Sequence, residues 1–144
     1  MTPTDIAKVR QSFALLTGPA EKDAFATLFY ARLFKEAPFL RPLFPNEMGE
    51  LRQKLMATLT LVVRELTNLE ELGPKVEALG KRHVGYGAKP EHYALVGAAL
   101  IWALQEALGD QWCQETRDGW VAAYTLLSGV MIAAAESVAV PAGA

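Results

Sequence analysis

His83 is the side chain of this 144-residue chain with the most chemistry to offer. Val76, Leu79, His83 and Tyr86 recur at i, i+3, i+7 and i+10, so they share one face of a helix. An imidazole on an apolar stripe needs a partner, because a buried polar group left without one costs about 1–3 kcal/mol. That partner is another protein group or a metal. The rest of the chain supplies no second ligand set. His92 follows Pro90-Glu91 near a helix start, where solvent is its expected neighbour. Cys113 is remote and belongs to no Cys-x-x-Cys, and no His-x₃-His occurs, which argues against zinc. There is also no G-x-S-x-G, glycine-rich phosphate loop or catalytic-triad spacing.

A single protein ligand between apolar walls suits haem, in which the porphyrin supplies the four other bonds to iron. Leu51, Leu55 and Leu59 make such a wall, Phe44 precedes it, and Tyr30 stands beside Phe29. The stripe alone leaves the other reading open, a core histidine satisfied by a protein group.

The elements that must position these residues read with a 3.6-residue period almost throughout. Ile6, Val9, Phe13 and Leu16 mark a first helix, stopped by Gly18-Pro19. Phe25, Leu28, Phe29 and Leu33 mark a second, ending near Ala37 because Pro38 follows. Three prolines between Pro38 and Pro45 restrict that corner to tight turns or short 3₁₀ pieces. Leu51, Leu55, Leu59, Val62 and Leu66 define a long helix ending near Asn68. Gly73-Pro74 is read as the start of a short helix carrying His83, ended by Gly85 and Gly87. Pro90 opens the next helix, with Tyr93, Val96, Leu100, Leu104 and Leu108 inward, and Gly109 closes it. Asp110 is the expected N-cap of the last, with Trp120, Tyr124, Leu127, Met131 and Ala134 inward. No stretch alternates with period 2. The fold class is all-α, with about seven helices of unequal length, which is not the pattern of a four-helix bundle.

Composition narrows the setting. The length fits one domain. Net charge is −2 with the signs interspersed, so no basic block points to nucleic acid. One cysteine excludes an intrachain disulfide and suits a reducing cytoplasm, the expected location. The N-terminus lacks the pattern of a signal peptide. The uncharged run Gly119–Ala135 falls just short of the ~18–20 residues of a membrane span and reads as a packed core helix. The tail over residues 139–144 is expected to be disordered.

With these residues in place the chain resembles a globin, in particular bacterial single-domain haemoglobins and the haem domains of flavohaemoglobins. The matching pieces are Phe29-Tyr30-Ala31-Arg32-Leu33-Phe34, Leu40-Arg41-Pro42-Leu43-Phe44, Asn68-Leu69 through Arg82-His83, Lys89-Pro90-Glu91-His92-Tyr93 with Val96-Gly97, and Trp120 through Tyr124. They run in order over about residues 4–136, so the whole chain, 1–144, is expected to be one globin domain. The resemblance implies haem b with His83 as the proximal iron ligand. It implies Phe44 on the haem face, and Tyr30 as distal donor to O₂. Leu51 and Leu55 would exclude water, with Leu79, Tyr93 and Val96 against the cofactor. Arg82 and Lys54 would meet the haem propionates, in exposed pairs worth ~0–1 kcal/mol each.

Two positions depart from the family pattern. The register of the usual distal glutamine falls on Leu51, and Gln53 lies about 200° around the helix. The register of a glutamate that supports the proximal histidine falls on Ala135, and Glu136 is about 100° off. The implied function is reversible binding of O₂, NO or CO. The alternatives are nitric oxide dioxygenation with a separate reductase, since the chain ends at Ala144 without a flavin or nicotinamide domain, and a haem-based gas sensor. A haem-free helical interaction module is the remaining class, and an inward His83 argues against it. Monomer and homodimer are both compatible with the absence of a heptad seam.

Overall fold

A computed structural model describes residues 1–139, and all regular structure among them is helical. The α-helices are α1 (Pro3–Ala14), α2 (Pro19–Glu36), α3 (Gly49–Arg64), α4 (Leu69–Gly85), α5 (His92–Leu108) and α6 (Gln114–Ala139). A 3₁₀ segment, Pro38–Leu43, occupies the proline-rich corner and makes the seventh helical piece of note, and a 3₁₀ turn, Gly109–Gln111, joins α5 to α6. The tail expected over residues 139–144 lies, from residue 140 on, outside the described residues; Ala139 still belongs to α6.

Local chemistry explains the ends. Thr2 caps α1: its hydroxyl accepts from the Asp5 N–H while the Asp5 carboxylate accepts from the Thr2 N–H. Pro19 opens α2, where its missing N–H costs nothing. Pro38 then closes it, with the Ala37 N–H still bonded to Leu33 O.

Four boundary readings change. First, α3 ends at Arg64, before Asn68, because the Arg10 guanidinium of α1 donates to the carbonyls of Val63 and Arg64. Those carbonyls belong to the last turn and need such a donor. Second, α4 begins at Leu69, so Gly73-Pro74 lies inside it. The proline frees only a carbonyl of the exposed first turn, at Glu70. Third, Tyr86 falls just past α4 and is exposed, because the chain turns there and no helix packs over it. Fourth, Asp110 sits in the 3₁₀ turn and caps nothing. The extended Trp112 intervenes, and the first turn of α6 closes on Cys113, whose carbonyl accepts from the Arg117 N–H.

The packing sets α4 and α1 against α6, and α2 against α5. Phe25, Leu33, Leu72, Leu104 and Val9 are the largest fully buried side chains. Trp120 donates its indole N–H to Ser12 Oγ, tying α6 to α1 and satisfying both buried groups. Gln114–Ser137 is the one segment, among the described residues, long and apolar enough to cross a membrane. Here it is the helix on which α1, α4 and α5 pack. α3 packs mainly on α2 and α1, and Lys75 of α4 reaches Glu65 at its end with an ion pair of 3.0 Å.

Candidate functional site

His83 stands two residues from the end of α4, below Leu72 and Val76, which are buried, and Leu79, which is half-buried. Its Nδ1–H donates to the Leu79 carbonyl at 2.8 Å. A carbonyl can only accept, so this contact fixes the tautomer and leaves the lone pair on Nε2. Burial lowers the His83 pKa, the bond to Leu79 opposes this, and the neighbouring Arg82 charge adds to the lowering. The ring is therefore neutral at pH 7, the form that binds metals. Its edge meets the Tyr86 ring at a centroid distance of 5.6 Å.

Tyr30, on α2, sits in an aromatic cluster. Its ring centroid is 4.9 Å from Phe29, 6.0 Å from Phe34 and 5.9 Å from Phe44, and the Phe34 and Phe44 rings lie 5.1 Å apart. The corner that carries Phe44 is pinned by Arg41, which lies over the Phe34 ring and donates to the carbonyls of Phe44 and Pro45. Burial pushes the Tyr30 hydroxyl up to about 12, so it remains a protonated donor, and no described group bonds to it.

On α3, Leu51 and Leu55 are half-buried and Gln53 is exposed. Lys54 is also exposed and is paired with Glu50 at 3.1 Å, four residues back on the same helix. Arg82 is exposed. On α5, Val96 is half-buried and Tyr93 is buried, with its hydroxyl the one buried side-chain polar atom that lacks a partner among the described residues. Burial raises the Tyr93 pKa. The Tyr124 hydroxyl of α6 donates to the Tyr93 carbonyl at 2.5 Å. Ala135 is buried and Glu136 exposed, so no α6 carboxylate reaches Tyr93. His92, expected in solvent, is half-buried: its Nδ1 accepts from the Lys89 N–H and its ring faces Phe39.

Two features escaped the sequence reading. Gly80 lies against the Met131 backbone, and Gly97 against the Tyr124 ring. A glycine inside a helix, where it costs about 1 kcal/mol relative to alanine, was the available signal. A groove of about 740 Å³ also opens beside α5 and α6, lined by residues that include Arg32, Trp102 and Tyr124 but neither His83 nor Tyr30. Among the described residues no cluster of three or more His, Cys, Asp or Glu could hold a bare metal ion. His83 would thus be a lone protein ligand.

Comparison with known proteins identifies the family and the fold. The globin family model matches residues 27–131. The flavohemoprotein of Pseudomonas aeruginosa is 37% identical over 120 residues, 81% of this chain and 30% of that protein. The flavohemoprotein of a Burkholderia species is 33% identical over 136 residues, 92% of this chain and 34% of that protein. The chain therefore spans about a third of the length of these relatives. Among solved structures, a bacterial globin of Campylobacter jejuni superposes with a TM-score of 0.84 at 25% identity, covering 95% of this chain and 98% of that one. An engineered carbene transferase from Rhodothermus marinus, at 24% identity, shares the fold with a TM-score of 0.84 over 96% and 95% of the two chains.

Proposed function

The chain belongs to the globin family, and on that premise we propose that it holds haem between α3 and α4 through His83 and reversibly binds O₂ or another diatomic there. The His83 tautomer carries the reading. A metal-binding histidine commonly spends its second N–H on a carbonyl, which orients the ring and raises its basicity. The 2.8 Å bond to Leu79 does this and leaves Nε2 free.

The surroundings fit haem. α3 and α4 do not pack closely on each other, and Leu51, Leu55, Leu79 and Val96 are half-covered apolar side chains that a flat apolar cofactor would complete. When bound, haem supplies an iron centre that takes diatomic gases. The protein supplies the rest. His83 Nε2 would be the ligand, Phe44 would pack on the ring, Leu51 and Leu55 would keep water out, and Tyr30 would donate one hydrogen bond to the gas. Tyr93 closes the proximal side without carboxylate support. Arg82 is free to meet a propionate, whereas Lys54 would have to leave Glu50. The lone cysteine, Cys113, precedes α6 and offers no thioether pair near His83, which argues against covalently attached haem and is compatible with haem b. The test is the absorption spectrum of purified protein supplied with haemin. A Soret band at one haem per chain is expected, lost in His83→Ala; full haem content in that variant refutes the assignment.

A second reading follows from the flavohemoprotein relatives: oxidation of nitric oxide to nitrate with O₂, using electrons from a separate reductase. Sustained NO consumption that requires an added reductase would support it. Consumption confined to a single turnover with every donor would return the function to gas binding.

A further inference from the structure

α5 and α6 fold back on each other across the short turn at Gly109–Gln111, and they meet where Gly97 lies against the Tyr124 ring. A Cβ on Gly97 would stand 2.6 Å from that ring, so the glycine is what lets the two helices touch there. Beside this crossing lies the groove of about 740 Å³, a volume within the range of small-molecule sites. Its lining follows the register of the crossing to within a residue. Gln105 falls opposite Arg117, Ile101 opposite Val121, and Pro90 opposite Ile132. From Arg117 to Ile132 the groove runs about 22 Å along α6.

The two halves of the groove differ. Toward the turn, Arg32 of α2 lays its guanidinium over the Trp102 ring, 4.7 Å from the centroid, and Arg117 stands at the end. Arg32 meets Glu36 at 3.3 Å, but Glu36 lies outside the groove, and no described carboxylate pairs with Arg117. Two cations thus face a groove with no carboxylate among its lining residues, on a chain whose net charge is −2. Tyr124 is the second aromatic wall of this half, and the bond from its hydroxyl to the Tyr93 carbonyl holds the ring in place. Away from the turn the walls are Pro90, Ala94, Ser128 and Ile132, which carry no charge. The charged and aromatic half, from Arg117 to Tyr124, is about 10 Å long, the length of two fused rings and a carboxylate. A guanidinium fork matches a carboxylate, and aromatic walls add to the binding of an aromatic guest beyond the area buried.

We propose that this half of the groove binds an aromatic monocarboxylate of two fused rings, its carboxylate met by Arg32 and Arg117 and its rings lying along Trp102 and Tyr124. Neither His83 nor Tyr30 lines the groove, and the proposal does not rest on the haem reading. The test is calorimetric titration of 2-naphthoate into purified protein supplied with haemin, so that a haem space is filled. One site per chain is expected. Arg32→Gln and Arg117→Gln should each weaken binding about fivefold or more, as should replacing the acid by the neutral 2-naphthamide. Decalin-2-carboxylate, the saturated counterpart, should bind at least about threefold more weakly. Lys22→Gln is the control for charge alone, because it lies ten residues before Arg32 on α2, about 15 Å along the helix. It should change binding less than twofold. Ala98→Trp would fill the groove from an exposed position and should abolish binding, whereas Ala98→Ser should bind as wild type does. No binding of 2-naphthoate, equal binding of 2-naphthamide, or binding that survives Ala98→Trp overturns the site. Decalin-2-carboxylate binding as well as 2-naphthoate overturns the aromatic assignment. A missing Soret band overturns the haem reading alone, and the groove is judged by these variants in either case.

Discussion

Gly80 and Met131 meet backbone to backbone: a Cβ on Gly80 would stand 2.6 Å from the Met131 carbonyl oxygen and 2.8 Å from its Cα. This crossing sets how closely α4 lies on α6. Gly80 is one turn before His83, so it also sets where the imidazole stands.

Gly80→Ala should therefore destabilise the protein by about 1–3 kcal/mol, since the opposing atoms are backbone and cannot yield. Gly129→Ala, in open space on α6, should instead gain up to about 1 kcal/mol from helix propensity. Thermal denaturation of both variants checks the contrast. Shifts of the same sign would mean that the close approach at Gly80 is not what holds α4 in place.

His83 makes the haem-free protein acid-sensitive in a defined window. Its folded pKa lies below 6.5 because burial disfavours the imidazolium. Below pH 6.5 the unfolded chain takes up a proton that the folded chain refuses, so stability falls as pH falls, until the folded pKa is reached. The slope is at most about 1.4 kcal/mol per pH unit for one group. Urea titrations of apoprotein at pH 7.5 and 5.5 should show a loss in wild type that is smaller in His83→Gln. Equal losses would show that His83 titrates alike in both states.

The parts of this molecule that one helix face dictates could be read from the chain. The stripes of α1, α2 and α5 gave their helices, residue type and spacing singled out His83, and the family resemblance pointed to Tyr30. The misreadings share a cause, which is contact across long sequence separation. The end of α3 depends on Arg10, a residue of α1 that no local pattern connects to Val63. Pro74 looks like a helix start, yet six residues of α4 run from Leu69 to it because α6 holds the helix along its length. Tyr86 keeps the spacing of the inward stripe but falls where the helix has already ended. The Gly80 and Gly97 contacts depend on partners in α6 and could not be seen from either glycine.

The orphan hydroxyl of Tyr93 offers a third test. Buried and unpartnered, it carries a desolvation cost of about 1–3 kcal/mol. Tyr93→Phe should accordingly leave the apoprotein as stable as wild type or more so, by about 1 kcal/mol. If haem brings the hydroxyl a partner, the same substitution should lose that gain in the holoprotein. Chemical denaturation with and without haem separates the two states. A clear loss of apoprotein stability would mean that Tyr93 is already satisfied.

The sharpest test of the distal side lies in Tyr30. The aromatic cluster of Phe29, Phe34 and Phe44 fixes its ring, and burial keeps its hydroxyl protonated with no protein acceptor. Leu51 stands in the register where a glutamine would offer a second donor, and Gln53 is exposed. On the proposed reading the gas would have one hydrogen-bond donor among the described residues, and deleting it would leave no substitute. A bond of ~1–2 kcal/mol predicts that Tyr30→Phe releases O₂ about five- to thirtyfold faster, as measured by stopped-flow displacement with CO. CO carries little charge and gains less from the donor, so its own release should change far less than that of O₂. Unchanged O₂ release would remove Tyr30 from the distal site. An equal acceleration for both gases would indicate loosened packing in the cluster instead of a lost hydrogen bond.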